Sequence, residues 1–139
     1  MKTTCRIAVS LALALLLSLS FVACQTTVDL WDSATYLEDT ELGTGAKTVT
    51  LAVAAGDKTV TFTIHTDEAI LGDALLSHDL IAGEEGAYGL YVKVVNGITA
   101  DYDVDQTYWQ LFVNGESAMV GVDGTEIEDG ATYRLERTK

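Results

Sequence analysis

The chain has 139 residues, two cysteines and no proline, and its formal net charge is −13 at pH 7. A surface of that sign repels phosphate backbones and anionic lipid head groups, which excludes nucleic acid as a partner of the folded part.

The first residues, MKTTCR, carry Lys2 and Arg6, and IAVSLALALLLSLSFVA then runs without a charge to Cys24. A basic start, an apolar run and a small-residue end predict an export signal over residues 1–23, which is set aside from the fold. If retained, an apolar run of roughly 17 residues just suffices to span a bilayer. The end, SFVAC, resembles the lipobox of bacterial lipoproteins, with Phe21 where that pattern usually has Leu. Cys5 lies inside the signal, so Cys24 is the only cysteine left after cleavage and has no intramolecular partner. Lipidation at Cys24 gives it a purpose, and a diacylglyceryl group would hold the chain on a membrane. The expected location is extracytoplasmic, anchored to the bacterial cell membrane. All 21 acidic residues and six of the eight basic ones follow Cys24, so the mature part sits near −15.

About 116 residues then remain, enough for one small domain. Residues 24–46 are polar and acidic and read as a tether, with room for a short element around Leu30 and Trp31. From Lys47 to Lys139 the pattern is that of a folded domain. KTVTLAVAAGDKTVTFTIHT holds two alternating β-branched runs around Gly56-Asp57, the signature of a hairpin. In the segment from Thr66, Asp67 is placed to cap a helix, Glu68 suits its first turn, and Ile70, Leu71, Ala74 and Leu75 form its apolar stripe. An acidic loop, EEGA, leads to a third strand in YGLYVKVVNGI, which ends in an Asn96-Gly97 turn. YWQLFVNGE predicts a fourth strand ending at Asn114-Gly115, and a turn at Asp129-Gly130 precedes a fifth. The order β-β-α-β-β-β predicts an α+β fold: a β-grasp-like mixed sheet of four or five strands crossed by one helix.

TYWQLFVNGE followed by GVDGTEIEDGATYRLE resembles a domain of unknown function found in bacterial secreted lipoproteins. That domain is similar to the C-terminal β-domain of the animal cobalamin carriers, transcobalamin and intrinsic factor. The resemblance covers about Lys47 to Lys139 and is most specific at TYWQ, YGLYVKVVNGI and DGATY. It implies a non-catalytic domain that contacts a corrinoid. The ligand-binding positions it implies are Trp109, Gln110 and Leu111, the neighbourhood of Gly124 and Thr125, and Tyr88, Gly89 and Leu90. The carriers hold the corrin ring between this β-domain and a separate helical domain, which has no counterpart here. A partner must therefore supply the opposite wall. The rival reading is an interaction module for another envelope protein, since a surface Trp and Leu suit a protein partner equally well.

Other candidates carry less. Asp101, Asp103 and Asp105 have calcium-loop spacing, yet Gln106 and Phe112 occupy the positions that need Gly and Glu. They read as a solvated acidic loop. His65 and His78, at a strand end and a helix end, lack a third ligand, so no metal is expected. No nucleophile elbow, paired His-Glu motif or phosphate loop occurs. Asp73 and Ser77 with His78 are explained by a helix face, and no cofactor is required.

Overall fold

A computed structural model describes residues 28–139. The expected signal and Cys24 lie outside the described residues. Among the described residues nine strands form two sheets, in the orders β1-β3-β2-β9-β7-β8, where β8 is Glu116–Ser117, and β4-β5-β6. The five expected strands are present as β2 (Lys47–Ala55), β3 (Lys58–Thr66), β5 (Gly89–Val95), β7 (Tyr108–Val113) and β9 (Thr132–Thr138). The α+β class holds, but the single sheet of four or five strands does not. β5 leaves the main sheet to pair with β4 (Ile81–Gly86) and β6 (Ile98–Thr99).

Alternation explains the centre of the large sheet. Val49, Leu51 and Val53 of β2 and Val60, Phe62 and Ile64 of β3 are all buried. Each strand therefore turns one face to the core and a threonine-rich face outward. β2 and β3 are antiparallel, while β2 and β9 are parallel, from Thr50↔Thr132 to Ala54↔Glu136. Tyr133 and Leu135 of β9 complete that core face.

Two predicted features are corrected. Asp67 does not cap the helix. Helix α1 (Leu71–Ser77) starts after Ile70 without a side-chain cap. Residues 67–70 lie outside the helix instead, and Ile70 is extended and bridges Glu126 while the Ala69 carbonyl accepts from Ile127 N–H. Asp67 accepts from the Ala46 amide at 2.9 Å. The EEGA loop is largely strand β4. A Gly-Glu-Glu-Gly run has no apolar alternation to betray it, and β4 is held by backbone pairing. A side chain at Gly83 would collide with the Tyr91 carbonyl.

The tether is likewise replaced, over its described part, by a packed arm. Leu30–Ser33 is a 3-10 helix begun by a capping box at Asp29 and Asp32, close to where a short element was expected. Trp31 is buried and donates its ring N–H to the Ala55 carbonyl at 2.9 Å. Tyr36 packs edge-on against Phe62, and β1 (Thr40–Leu42) lies parallel to β3 at the sheet edge. Asn96, fully buried with φ +51°, fastens the arm to the β5–β6 turn. Its side chain pairs with both backbone groups of Tyr36 at 2.9 Å, and its carbonyl accepts from Thr35 N–H at 3.0 Å.

Candidate functional site

The far end of β5 is built differently. There the β4–β5 hairpin tip, Gly86–Gly89, stands opposite the loop Ala118–Gly121. Tyr88 and Met119 are fully exposed, and Val120 and Tyr91 are about half exposed. Exposed apolar side chains gathered on these two neighbouring segments cost solvation unless something covers them.

Two adjoining hollows lie here. The inner one, about 120 Å³, is walled by Leu90, Val92, Trp109, Leu111, Val122 and Leu135. The outer one, about 300 Å³, is walled by Gly86 to Tyr91 of the hairpin and by Gly121. Leu90, Tyr91 and Gly121 belong to both. Five of the eight residues singled out from the sequence therefore meet: Tyr88, Gly89, Leu90, Trp109 and Leu111.

The other three are placed elsewhere. β7 alternates, so Trp109 and Leu111 are buried while Gln110 lies on the opposite face, donating to the Ser117 hydroxyl at 2.9 Å. Thr125 is buried and donates from its hydroxyl to the Gly121 carbonyl at 2.9 Å, and its own carbonyl accepts the first helical N–H, that of Leu71. Gly124 closes the same 3-10 turn, Val122–Gly124, and packs against Val120. Trp109 is a wall of the inner hollow and not an exposed plate. Its ring N–H donates to the Lys93 carbonyl at 3.1 Å, which ties β7 to β5.

Asp123, which sequence reasoning passed over, sets the cleft's shape. Its carboxylate accepts the Leu90 N–H at 2.8 Å. Gly89 has φ +99°, and a Cβ there would lie 3.0 Å from the same carboxylate. A Cβ on Gly72 of α1 would collide with it from the other side. Two glycines on separate elements thus make room for one aspartate, which accounts for a glycine inside a short helix. The only signal was GVDG itself, too short to stand out.

On the smaller sheet, Lys93 of β5 pairs with Glu84 of β4 at 3.3 Å. The hydrogen bond it donates to Glu84, with the Glu84, Asp101 and Asp103 charges, raises the Lys93 pKa above its ordinary value. The DYDVD stretch is a one-turn helix, α2 (Tyr102–Asp105), and not the open loop expected. Asp101 caps its start, and Gln106 ends it in the left-handed region at φ +63°. Asp105 accepts from the Thr107 hydroxyl and amide and from Arg137 Nη2 at 3.0 Å. Those bonds, Thr107's first, hold its pKa below the ordinary carboxylate value. Among the described residues, no three His, Cys, Asp or Glu side chains gather as a metal site. His65 is engaged by Thr48 at 2.9 Å and Glu41 at 2.5 Å. Among the described residues, no helix is long and apolar enough to cross a membrane.

Comparison with known proteins gives the same outline. Residues 68–135 match a family described as a domain of unknown function, DUF4430. A solved structure from Ruminococcus gnavus ATCC 29149, described as a candidate metal-binding protein, is 35% identical with a TM-score of 0.64. The match covers 68% of this chain and 98% of that one. Haptocorrin, solved in complex with Cbi, shares the fold at 23% identity and a TM-score of 0.51. That match covers 67% of this chain but only 25% of haptocorrin. No curated protein matches.

Proposed function

This chain belongs to the DUF4430 family, and on that premise we propose that it is a membrane-anchored lipoprotein whose cleft binds a small ligand of the corrinoid class. The observation that carries the reading is the convergence of Tyr88, Gly89, Leu90, Trp109 and Leu111 on two joined apolar hollows. Such a lining, with few polar groups, is the usual composition of a small-molecule site. Haptocorrin's complex with Cbi supports the ligand class. The central order β3-β2-β9-β7, with β2 parallel to β9, supports describing the frame as β-grasp-like.

Apolar contact comes from Leu90, Trp109 and Leu111, and Tyr88 stacks from the rim. Gln110 belongs to the other face of β7 and is given no share. Together the hollows measure some hundreds of Å³ and stay open to solvent. A large planar ligand would be covered on one side only, so a partner supplies the second wall. A second reading, an interaction module for another envelope protein, is favoured by Tyr88 and Met119, which are fully exposed, with Val120 half exposed beside them.

Calorimetric titration of the chain from Gln25 onward with cyanocobalamin separates the two. The corrinoid reading expects measurable heat that weakens at least tenfold in Tyr88→Ala and stays unchanged in Gln110→Ala. Absence of heat up to about 1 mM, equivalent to only about 4 kcal/mol, removes unaided corrinoid binding and leaves the protein-partner reading.

A further inference from the structure

We infer that the packed arm holds the domain upright on the membrane with the cleft at its far end, so that the wall completing the cleft is a protein reaching it from the extracytoplasmic side and not lipid. The inference rests on the membrane anchoring proposed above. It holds equally for an acylated Cys24 and for a retained apolar segment ending at Ala23.

Three observations carry it. First, the arm is no tether. Trp31 is fixed to Ala55, Asn96 fixes Thr35 and Tyr36, and the capping box begins the arm at Asp29, so free spacing ends there. Only five residue steps separate Cys24 from Asp29. At full extension they reach about 17 Å.

Second, the arm and the cleft occupy opposite ends of β5. Val28, Leu30 and Ser33 line one hollow with Ile98 and Thr99, and a Cβ on Gly97 would collide with the Ser33 carbonyl. Tyr88 immediately precedes Gly89 at the other end of the strand. Seven extended residues put those ends about 20 Å apart. An inverted domain, with Tyr88 and Met119 in the bilayer, would lift Asp29 further from the surface than the spacer reaches.

Third, charge opposes a domain lying on its β4 flank. Glu84 and Glu85 are exposed along β4, and Asp101 and Asp103 border the same sheet through Lys93. An anionic membrane repels that flank. The exposed Tyr88, Met119 and Val120 thus face outward, beside an acidic flank. The partner they suit offers an apolar face edged with basic side chains.

The test uses the full chain, processed in a bacterial host and recovered from membranes. Detergent-phase partitioning and the mass of the N-terminal peptide first establish the anchor. With Cys5 removed and Cys24 acylated, Val28→Cys and Tyr88→Cys each provide a single free thiol for a donor dye. Both positions are exposed, so neither exchange disturbs the core. Energy transfer is read to an acceptor on the head groups of phosphatidylcholine–phosphatidylglycerol vesicles. Strong transfer from position 28 and several-fold weaker transfer from position 88 are expected, with no spectral shift of the dye at 88 on vesicle binding. Equal transfer, or a blue shift at position 88, makes lipid the second wall and overturns the orientation. A chain in the aqueous phase overturns the anchor reading by a separate signal, and this inference with it.

Discussion

The two ends of β5 show what the same chain does when it seals surface and when it leaves surface open. At the Val95–Asn96 end the strand itself is sealed. Val95 and Asn96 are buried, the Asn96 amide donates to the Leu80 carbonyl at 2.8 Å, and its side chain holds the arm. At the Gly89–Leu90 end, six residues away, Tyr88 is wholly exposed and one aspartate supplies the only side-chain tie. Stability is concentrated where the arm docks. Unburied apolar surface is kept where a ligand or partner can cover it, and the contrast predicts that substitutions at the two ends separate cleanly into folding effects and binding effects.

The largest effect is expected at the sealed end. Trp31→Ala removes a buried indole and leaves the Ala55 carbonyl without its donor. Large aromatic truncations of this kind cost about 3–5 kcal/mol. Urea unfolding should show that loss, whereas a change under about 1 kcal/mol would mean that the arm is a tether after all.

That arm also marks the limit of what the sequence made legible. Strands with strict alternation and two-residue glycine turns announced themselves: β2, β3, β7 and the turns at Asn96-Gly97 and Asn114-Gly115 are as expected. The arm was hidden because a lone buried Trp in an acidic segment has no periodicity. Its acids looked like solvating charge, yet Asp29 caps the Trp31 amide and Asp39 accepts from the Thr61 amide. At the cleft, the apolar residues were identifiable from the family resemblance, and the period of two already set Gln110 on the face opposite Trp109 and Leu111. Which of those faces met the core depended on tertiary packing and was not legible in the sequence.

A smaller loss is expected at Asn96→Gly, which keeps the positive φ while deleting the two bonds to Tyr36. Leaving partly buried amide groups unpaired costs about 1–3 kcal/mol. Hydrogen exchange should then rise across residues 35–42 before it rises in β2 and β3. Uniform acceleration everywhere would show that the arm and sheet open as one unit.

At the open end, Gly89→Ala and Tyr88→Ala sharpen the contrast. The alanine at position 89 meets both the positive φ and the Asp123 carboxylate, so it should destabilise by about 1 kcal/mol or somewhat more. Tyr88→Ala touches nothing packed and should stay within about 0.5 kcal/mol of the parent. Its effect belongs to binding. A large stability loss at Tyr88 would mean that the hairpin tip is already covered by the protein itself.

The smallest effect concerns pH and lies just beyond the sealed end, where Arg137 joins the Thr99 carbonyl to Asp105. The Asp105 pKa is lowered on folding, chiefly by the Thr107 hydroxyl, with Arg137 contributing. A carboxyl of this kind stabilises the fold above its unfolded pKa, and that contribution disappears as pH falls through its lower folded pKa. Asp105→Asn should therefore lower the urea midpoint slightly at pH 7, and the gap between variant and parent should close on acidification below pH 3.8. Asp105 is open to solvent and its ion pair with Arg137 is screened, so the share of the shift due to Arg137 is small and should shrink further with added salt. The carboxylate's two bonds to Thr107 would be insensitive to salt, which lets the same titration apportion the tie. A salt-independent gap assigns it to Thr107 and the α2 turn, and a salt-sensitive one assigns it to Arg137 and the junction between the sheets.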